Sequence, residues 1–147
     1  MKKILFSTVV VAATLFACST SVQAQSHALP RLIAMYGNVT NATVSEQAGN
    51  TVLFQWKEGG TSYRALFNKT GEWMNTIISY EASQLPGAIR SSLQAAWSEY
   101  KPVYVDELRF ANQPTVYRVQ LENPWDLLIL QVSDETIVKE RLLHKKP

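Results

Sequence analysis

The chain has 147 residues, a length that suits one domain of ordinary size, with 14 Lys and Arg against 12 Asp and Glu. Two of the basic residues, Lys2 and Lys3, sit in what reads as a leader, and without them 12 cations face 12 anions. That balance excludes the concentrated basic surface that nucleic-acid binding needs, and a single cysteine, Cys18, excludes an internal disulfide.

After the basic start, Ile4 to Ala17 is an apolar run without charge, and SVQAQ places the small residues Val22 and Ala24 before a cleavage point. The pattern predicts a signal peptide over 1–24 and an exported domain over 25–147, periplasmic or secreted. The run is short for about 30 Å of hydrocarbon, so no transmembrane segment is expected in the mature chain. LFAC, Leu15 to Cys18, also resembles a lipoprotein box, with Phe16 large for its place. Lipidation at Cys18 therefore stands as the alternative to cleavage after Ala24.

Beyond the leader, ALPRLIAMYG from Ala28 opens a first helical segment, and four strand patterns follow near 41–47, 50–58, 61–68 and 72–80. Val52, Phe54 and Trp56 alternate with Leu53, Gln55 and Lys57 before the Gly59-Gly60 turn. Tyr63, Ala65 and Phe67 alternate with Arg64, Leu66 and Asn68, and Gly71 in KTG is free to take positive φ. A second helix reads through SQLPGAIRSSLQAAWSEYKP: Leu85, Ile89, Leu93, Trp97 and Tyr100 share one face, Ser83 is the expected N-cap, Pro86 falls in the first turn and Pro102 stops the run. Four more strands follow near 103–110, 114–122, 125–133 and 136–143. Short connections between successive strands imply antiparallel meanders.

The halves echo one another. Leu-Pro recurs at Leu29 and Leu85, and NTVLFQW aligns with PTVYRVQ. The expected fold class is α+β: two tandem units, each a helix packed on a roughly four-stranded antiparallel meander sheet, the first over about 28–82 and the second over about 83–144.

Groups suited to catalysis are few. His27 and His144 lie near the two ends, which argues against a zinc site or a histidine base. Asp106 and Glu107 are adjacent on a strand and point to opposite faces, so they do not pair as acid and base. Asp134 and Glu135 fall in a turn with too few oxygens for calcium. EGGT lies between strands and lacks the Lys of a phosphate loop. No cofactor, metal or catalytic residue is expected. Phe54, Trp56, Phe67 and Trp97 keep the helix-facing phase and read as core, with Tyr63 and Trp73 as fold residues too. Gln55, Lys57, Arg64, Tyr104, Asp106, Arg118 and Gln120 share the opposite phase, a mixture of Tyr, Arg and amides that suits either a solvated face or a protein-binding one.

Val52, Phe54, Trp56, Gly60, Ser62, Tyr63, Arg64, Ala65, Phe67, Gly71 and Trp73, followed by Leu85, Pro86, Ile89, Leu93 and Tyr100, form a pattern that resembles the PepSY-like proteins of bacterial envelopes, grouped by fold with the beta-lactamase-inhibitor-like (BLIP-like) proteins. The resemblance spans about 28–143 and implies helix-on-sheet units and a binding role, in some members enzyme inhibition across the open sheet face. The chain departs from the inhibitory protein itself in having no disulfides, so a beta-lactamase target is not carried over. The expected function is an exported, non-enzymatic module that binds a protein or peptide through the open face. The candidate binding residues are Arg64, Arg118, Tyr104, Gln55 and Gln120. The alternative is an envelope protein that is structural or binds a small ligand in an aromatic-lined cleft between helix and sheet.

Overall fold

A computed structural model describes residues 21–134 and 136–145. The expected cleavage point after Ala24 falls inside the first helix, while residues 1–20 of the expected signal peptide, Cys18 included, lie outside the described residues, as does Glu135. Helix α1 (Ser21–Tyr36) leads into strands β1 (Thr43–Gln47), β2 (Thr51–Glu58), β3 (Thr61–Phe67) and β4 (Trp73–Glu81). A short 3-10 turn (Ala82–Gln84) and helix α2 (Gly87–Ala96) follow, then β5 (Lys101–Phe110), β6 (Val116–Glu122), β7 (Asp126–Ser133) and β8 (Thr136–His144). Every strand boundary lies within two residues of its sequence expectation.

The expected division into two tandem helix-plus-four-strand units is overturned. The described residues form mostly one antiparallel sheet of eight strands in the order β1 to β8, with two helices. The decisive contact is β4 with β5, registered from Asn75 opposite Phe110 to Glu81 opposite Tyr104. The physical reason is that an open edge in mid-chain would leave a row of backbone donors and acceptors unpaired, and β5 returns from α2 to meet them. The body of β4, WMNTIISY, carries no charge, as suits an interior strand rather than a guarded edge.

Turn chemistry sets the register. Gly59 (φ +54) and Gly60 (φ +85) close a two-residue hairpin between Glu58 and Thr61, a geometry that demands positive φ at both positions. Between β3 and β4, Asn68 Oδ1 accepts from the Thr70 and Glu72 backbone N–H groups at 3.0 and 2.9 Å. Gly71 (φ +81) completes that turn where it packs on α1: a Cβ there would stand 2.5 Å from the His27 carbonyl oxygen. The non-glycine residues at positive φ are Asn41, Asn50, Asn112 and Asp134, the types that tolerate it best.

Both helices cover the same face of the sheet. Ala28 and Leu32 of α1 meet Val52, Phe54, Trp56, Ala65 and Phe67, while Ile89 and Leu93 of α2 meet Val105, Val119, Leu121, Leu128 and Leu130. Tyr63 packs against both clusters, so the two parts of the core meet at it. Helix α2 is shorter than expected. Its N-cap is Pro86 and not Ser83, which lies in the 3-10 turn, and Trp97 closes it with an extended φ of −133. Tyr100 lies past its end and Pro102 is already in β5. A residue before proline avoids the α region, which places the break at Leu85, whose ψ is 136.

Candidate functional site

The alternate residues of each strand form a face that neither helix covers. Strand pairing lays them out in rows: Gln55, Arg64, Ile77, Leu108 and Val116 in one, Lys57, Ser62, Ser79, Asp106, Arg118 and Gln131 in the next, and Glu81, Tyr104, Gln120, Ile129 and Arg141 in a third. All five candidate binding residues fall on this face. Gln55 stands opposite Arg64, and Tyr104 opposite Gln120, with Arg118 in the neighbouring row.

Asp106 links the two arginines. Its carboxylate accepts from Ser79 Oγ at 2.6 Å and from Arg118, whose Nε lies at 3.1 Å and whose Nη2 also donates. Arg64 Nη2 approaches its other side at 4.0 Å. The Asp106 side chain is 7% exposed, whereas those of Arg64 and Arg118 are 42% and 48% exposed. A buried carboxylate thus fixes a half-exposed guanidinium in place, with its Nη1 N–H groups outside these bonds. Sequence reasoning put Asp106 on this face but missed that it organises it. The signal was present: Asp106 opposite Arg118 in a β5–β6 hairpin is an oppositely charged cross-strand pair.

Beside this pair lies a concavity of about 470 Å³, lined by Tyr104, Asp106, Arg118, Gln120, Ile129, Gln131 and Arg141. Tyr104 is among the exposed large hydrophobic residues of the chain, at 43%. Arg141 belongs by sequence to a basic cluster at the end of the chain that reads as a solvated end; a bulge in β8 opposite Gln131 and Val132 breaks the alternation and puts it on this face.

On the helix side, Glu107 is also buried and also satisfied. Tyr80 Oη donates to its Oε2 at 3.0 Å and Arg109 Nε to its Oε1 at 2.6 Å. Burial, followed by the Glu107 charge, raises the Tyr80 phenol pKa above its ordinary value, and the same causes raise that of Tyr117. Trp56 and Tyr63, read from the sequence as core and fold residues, pack in the core: Trp56 stacks on Tyr63 at 4.8 Å with an interplanar angle of 3°, and Tyr36 meets Trp56 edge-on at 5.2 Å. Tyr36 Oη and Trp73 Nε1 both donate to Thr76 Oγ1 at 2.8 Å. A second concavity, of about 440 Å³, lies between α2 and the start of β5, bounded by Arg90, Leu93, Tyr100 and Pro102.

His27 lies on the exposed side of α1, and His144, the last residue of β8, meets Asp126 through Nδ1 at 2.6 Å. Among the described residues no group of three or more His, Cys, Asp or Glu is placed to hold a metal ion, and no helix is long and apolar enough to cross a membrane. Every buried side-chain nitrogen and oxygen among them has a hydrogen-bond partner.

No protein-family model matches the chain, and no curated protein matches it. Solved structures do. A BLIP-like protein from Bacteroides fragilis is 19% identical with a TM-score of 0.66, over 83% of this chain and 88% of that one. A DUF2874 family protein from Bacteroides ovatus is 13% identical with a TM-score of 0.66, over 82% and 86%. A proposed periplasmic protein from Bacteroides eggerthii is 16% identical with a TM-score of 0.64, over 79% and 86%. At these identities the likeness establishes the fold, and the fold is BLIP-like.

Proposed function

We propose that the chain is an exported, non-enzymatic binding module that engages a protein or peptide through the open sheet face. The observation that carries this is the placement of Gln55, Arg64, Tyr104, Arg118 and Gln120 on one uncovered face, with Arg118 anchored by a buried carboxylate and Tyr104 exposed beside it. An aromatic ring next to a fixed arginine is the composition of an interface centre. The BLIP-like neighbour and the PepSY-like sequence pattern support a protein partner, and an inhibitory role is one form such binding would take. The proposed periplasmic neighbour supports export. Cleavage after Ala24 would spare Ala28 and Leu32, the buried residues of α1, so the mature helix keeps its core contacts. Intact mass of the exported protein separates that product from one lipidated at Cys18.

The test is affinity capture from an envelope extract with the parent and with the double variant Arg64→Glu, Arg118→Glu. Loss of a specific partner by a double variant that keeps the parent's unfolding midpoint supports the face, and retention of the partner refutes it. The second concavity, between α2 and β5, keeps a small-ligand reading open. A thermal-shift screen against peptides, sugars and lipids tests it, with a clear upward shift for a small ligand favouring that reading.

A further inference from the structure

We propose that the groove over β5 to β8 takes a carboxylate side chain from an acidic peptide segment, with Arg118 and Arg141 as its two recognition groups. The inference rests on the open-face reading and names the chemistry of the partner. Among the described residues, three charged ones line the groove: Arg118, Arg141 and Asp106. Asp106 is spent, since Ser79 and Arg118 occupy its oxygens and its side chain is only 7% exposed. What the described residues turn to the groove is therefore two guanidinium groups and no free carboxylate. Arg141 has no ion-pair or hydrogen-bond partner among the described residues, and Arg118 keeps its Nη1 N–H groups outside its bonds to Asp106.

Their positions suit one guest. Arg118 is on β6 and Arg141 on β8, one row further along, a backbone separation of roughly 10–12 Å at ordinary strand spacing. Two long side chains converging across that gap can hold a carboxylate between them, and planar guanidinium donors match its geometry. Tyr104 and Ile129 supply apolar surface for the stem of the guest side chain, and Gln120 and Gln131 supply amides able to meet a peptide backbone. A basic segment would meet like charge and leave both arginines unpaired.

The test uses the whole exported chain and a fluorescein-labelled, end-capped heptapeptide with four glutamates, read by anisotropy, with a four-lysine counterpart and free glutamate as controls. The glutamate peptide is expected to bind, more weakly as salt rises, and the lysine peptide not to bind. Arg141→Glu removes no contact of the fold and is expected to weaken binding by about tenfold or more. Lys69→Glu, on the exposed β3–β4 turn away from the groove, is expected to leave binding within about twofold. Absence of glutamate-peptide binding, indifference to Arg141→Glu, or full competition by free glutamate at equal carboxylate concentration would each overturn the proposal. If capture of an envelope partner depends on Arg64 and Arg118 while the glutamate peptide fails to bind, the acidic-segment inference is wrong and the open-face reading survives. If the peptide binds through Arg141 while capture ignores the double variant, the groove recognises carboxylates and the wider face does not hold that partner.

Discussion

Removing the Asp106 carboxylate isolates what holds the open face in shape. Asp106→Ala deletes the acceptor for Ser79 Oγ at 2.6 Å and for Arg118 Nε at 3.1 Å, along with the 4.0 Å approach of Arg64. Ser79 is buried at 4% exposure, and a buried hydroxyl left without its partner costs about 1–3 kcal/mol. Arg118 is about half exposed, so water recovers most of what it loses, and its share is discounted to about 1 kcal/mol. The sum is a destabilisation of roughly 2–4 kcal/mol. Asp106→Asn keeps the size and an acceptor for Ser79 and gives up only the charge, so about 1–2 kcal/mol is expected. Urea unfolding followed by tryptophan fluorescence reads both variants, with the slope against denaturant unchanged. An alanine variant within about 0.5 kcal/mol of the parent, or an asparagine variant worse than alanine, would refute the assignment of Asp106 as the organising group.

Other perturbations follow from the same geometry. Gly71→Ala and Gly60→Ala share a left-handed backbone near φ +81 and +85, but only Gly71 would set a Cβ against the His27 carbonyl. Both should lose about 1–2 kcal/mol to the backbone, Gly71→Ala should lose measurably more in urea unfolding, and equal losses would mean that α1 does not approach that turn. Tyr80 has a raised pKa in the folded state, while an unfolded tyrosine titrates near 10. The folded chain then keeps a proton that the unfolded chain releases, so stability is intact below about pH 10 and falls above it, by up to about 1.4 kcal/mol per pH unit for this group. Tyr80→Phe should flatten that alkaline slope in denaturation curves taken from pH 8 to 11, and an unchanged slope would remove Tyr80 as its source. Trp125 is 74% exposed while the Asn123 side chain accepts from the Trp125 and Asp126 N–H groups at 2.9 and 2.7 Å. Trp125→Ala should therefore leave the unfolding midpoint nearly unchanged, and Asn123→Ala should cost about 1 kcal/mol.

How much the sequence discloses depends on whether the governing force is local. The phase of Val52, Phe54 and Trp56 was legible because burial on one face imposes a period of two. The turns at Gly59-Gly60 and Gly71 were legible because only certain residues accept positive φ without strain. The single sheet was not, because β4–β5 pairing is a contact between strands separated by α2, and a search for internal repeats treats such halves as separate bodies. The start of α2 was misplaced because Ser83 has the letters of a cap, but Pro86 forbids helical backbone just before it. On the face itself, Arg64, Arg118, Tyr104, Gln55 and Gln120 were legible from alternation alone. Arg141 was not, since one bulged residue shifts every later assignment in β8 to the other side.

The two faces of the sheet carry different obligations, and this bears on what fold likeness can say about function. The helix face holds nearly all of the buried apolar residues, from Val52 to Val132, and substitutions there act on stability. The open face owes the fold little beyond Asp106 and its partners. Away from that cluster its side chains are free to change sign and size at small cost, because half-exposed side chains recover hydration when a contact is lost. Neighbours that share the fold at 13–19% identity are therefore under no physical constraint to share a partner. What distinguishes one such chain from another is the charge and relief of this face. In this chain the relief is a groove with two arginines and an internally neutralised aspartate; Arg118 is tied to that aspartate, so exchanging Arg141 for an acidic residue should alter what the groove accepts while leaving the sheet intact.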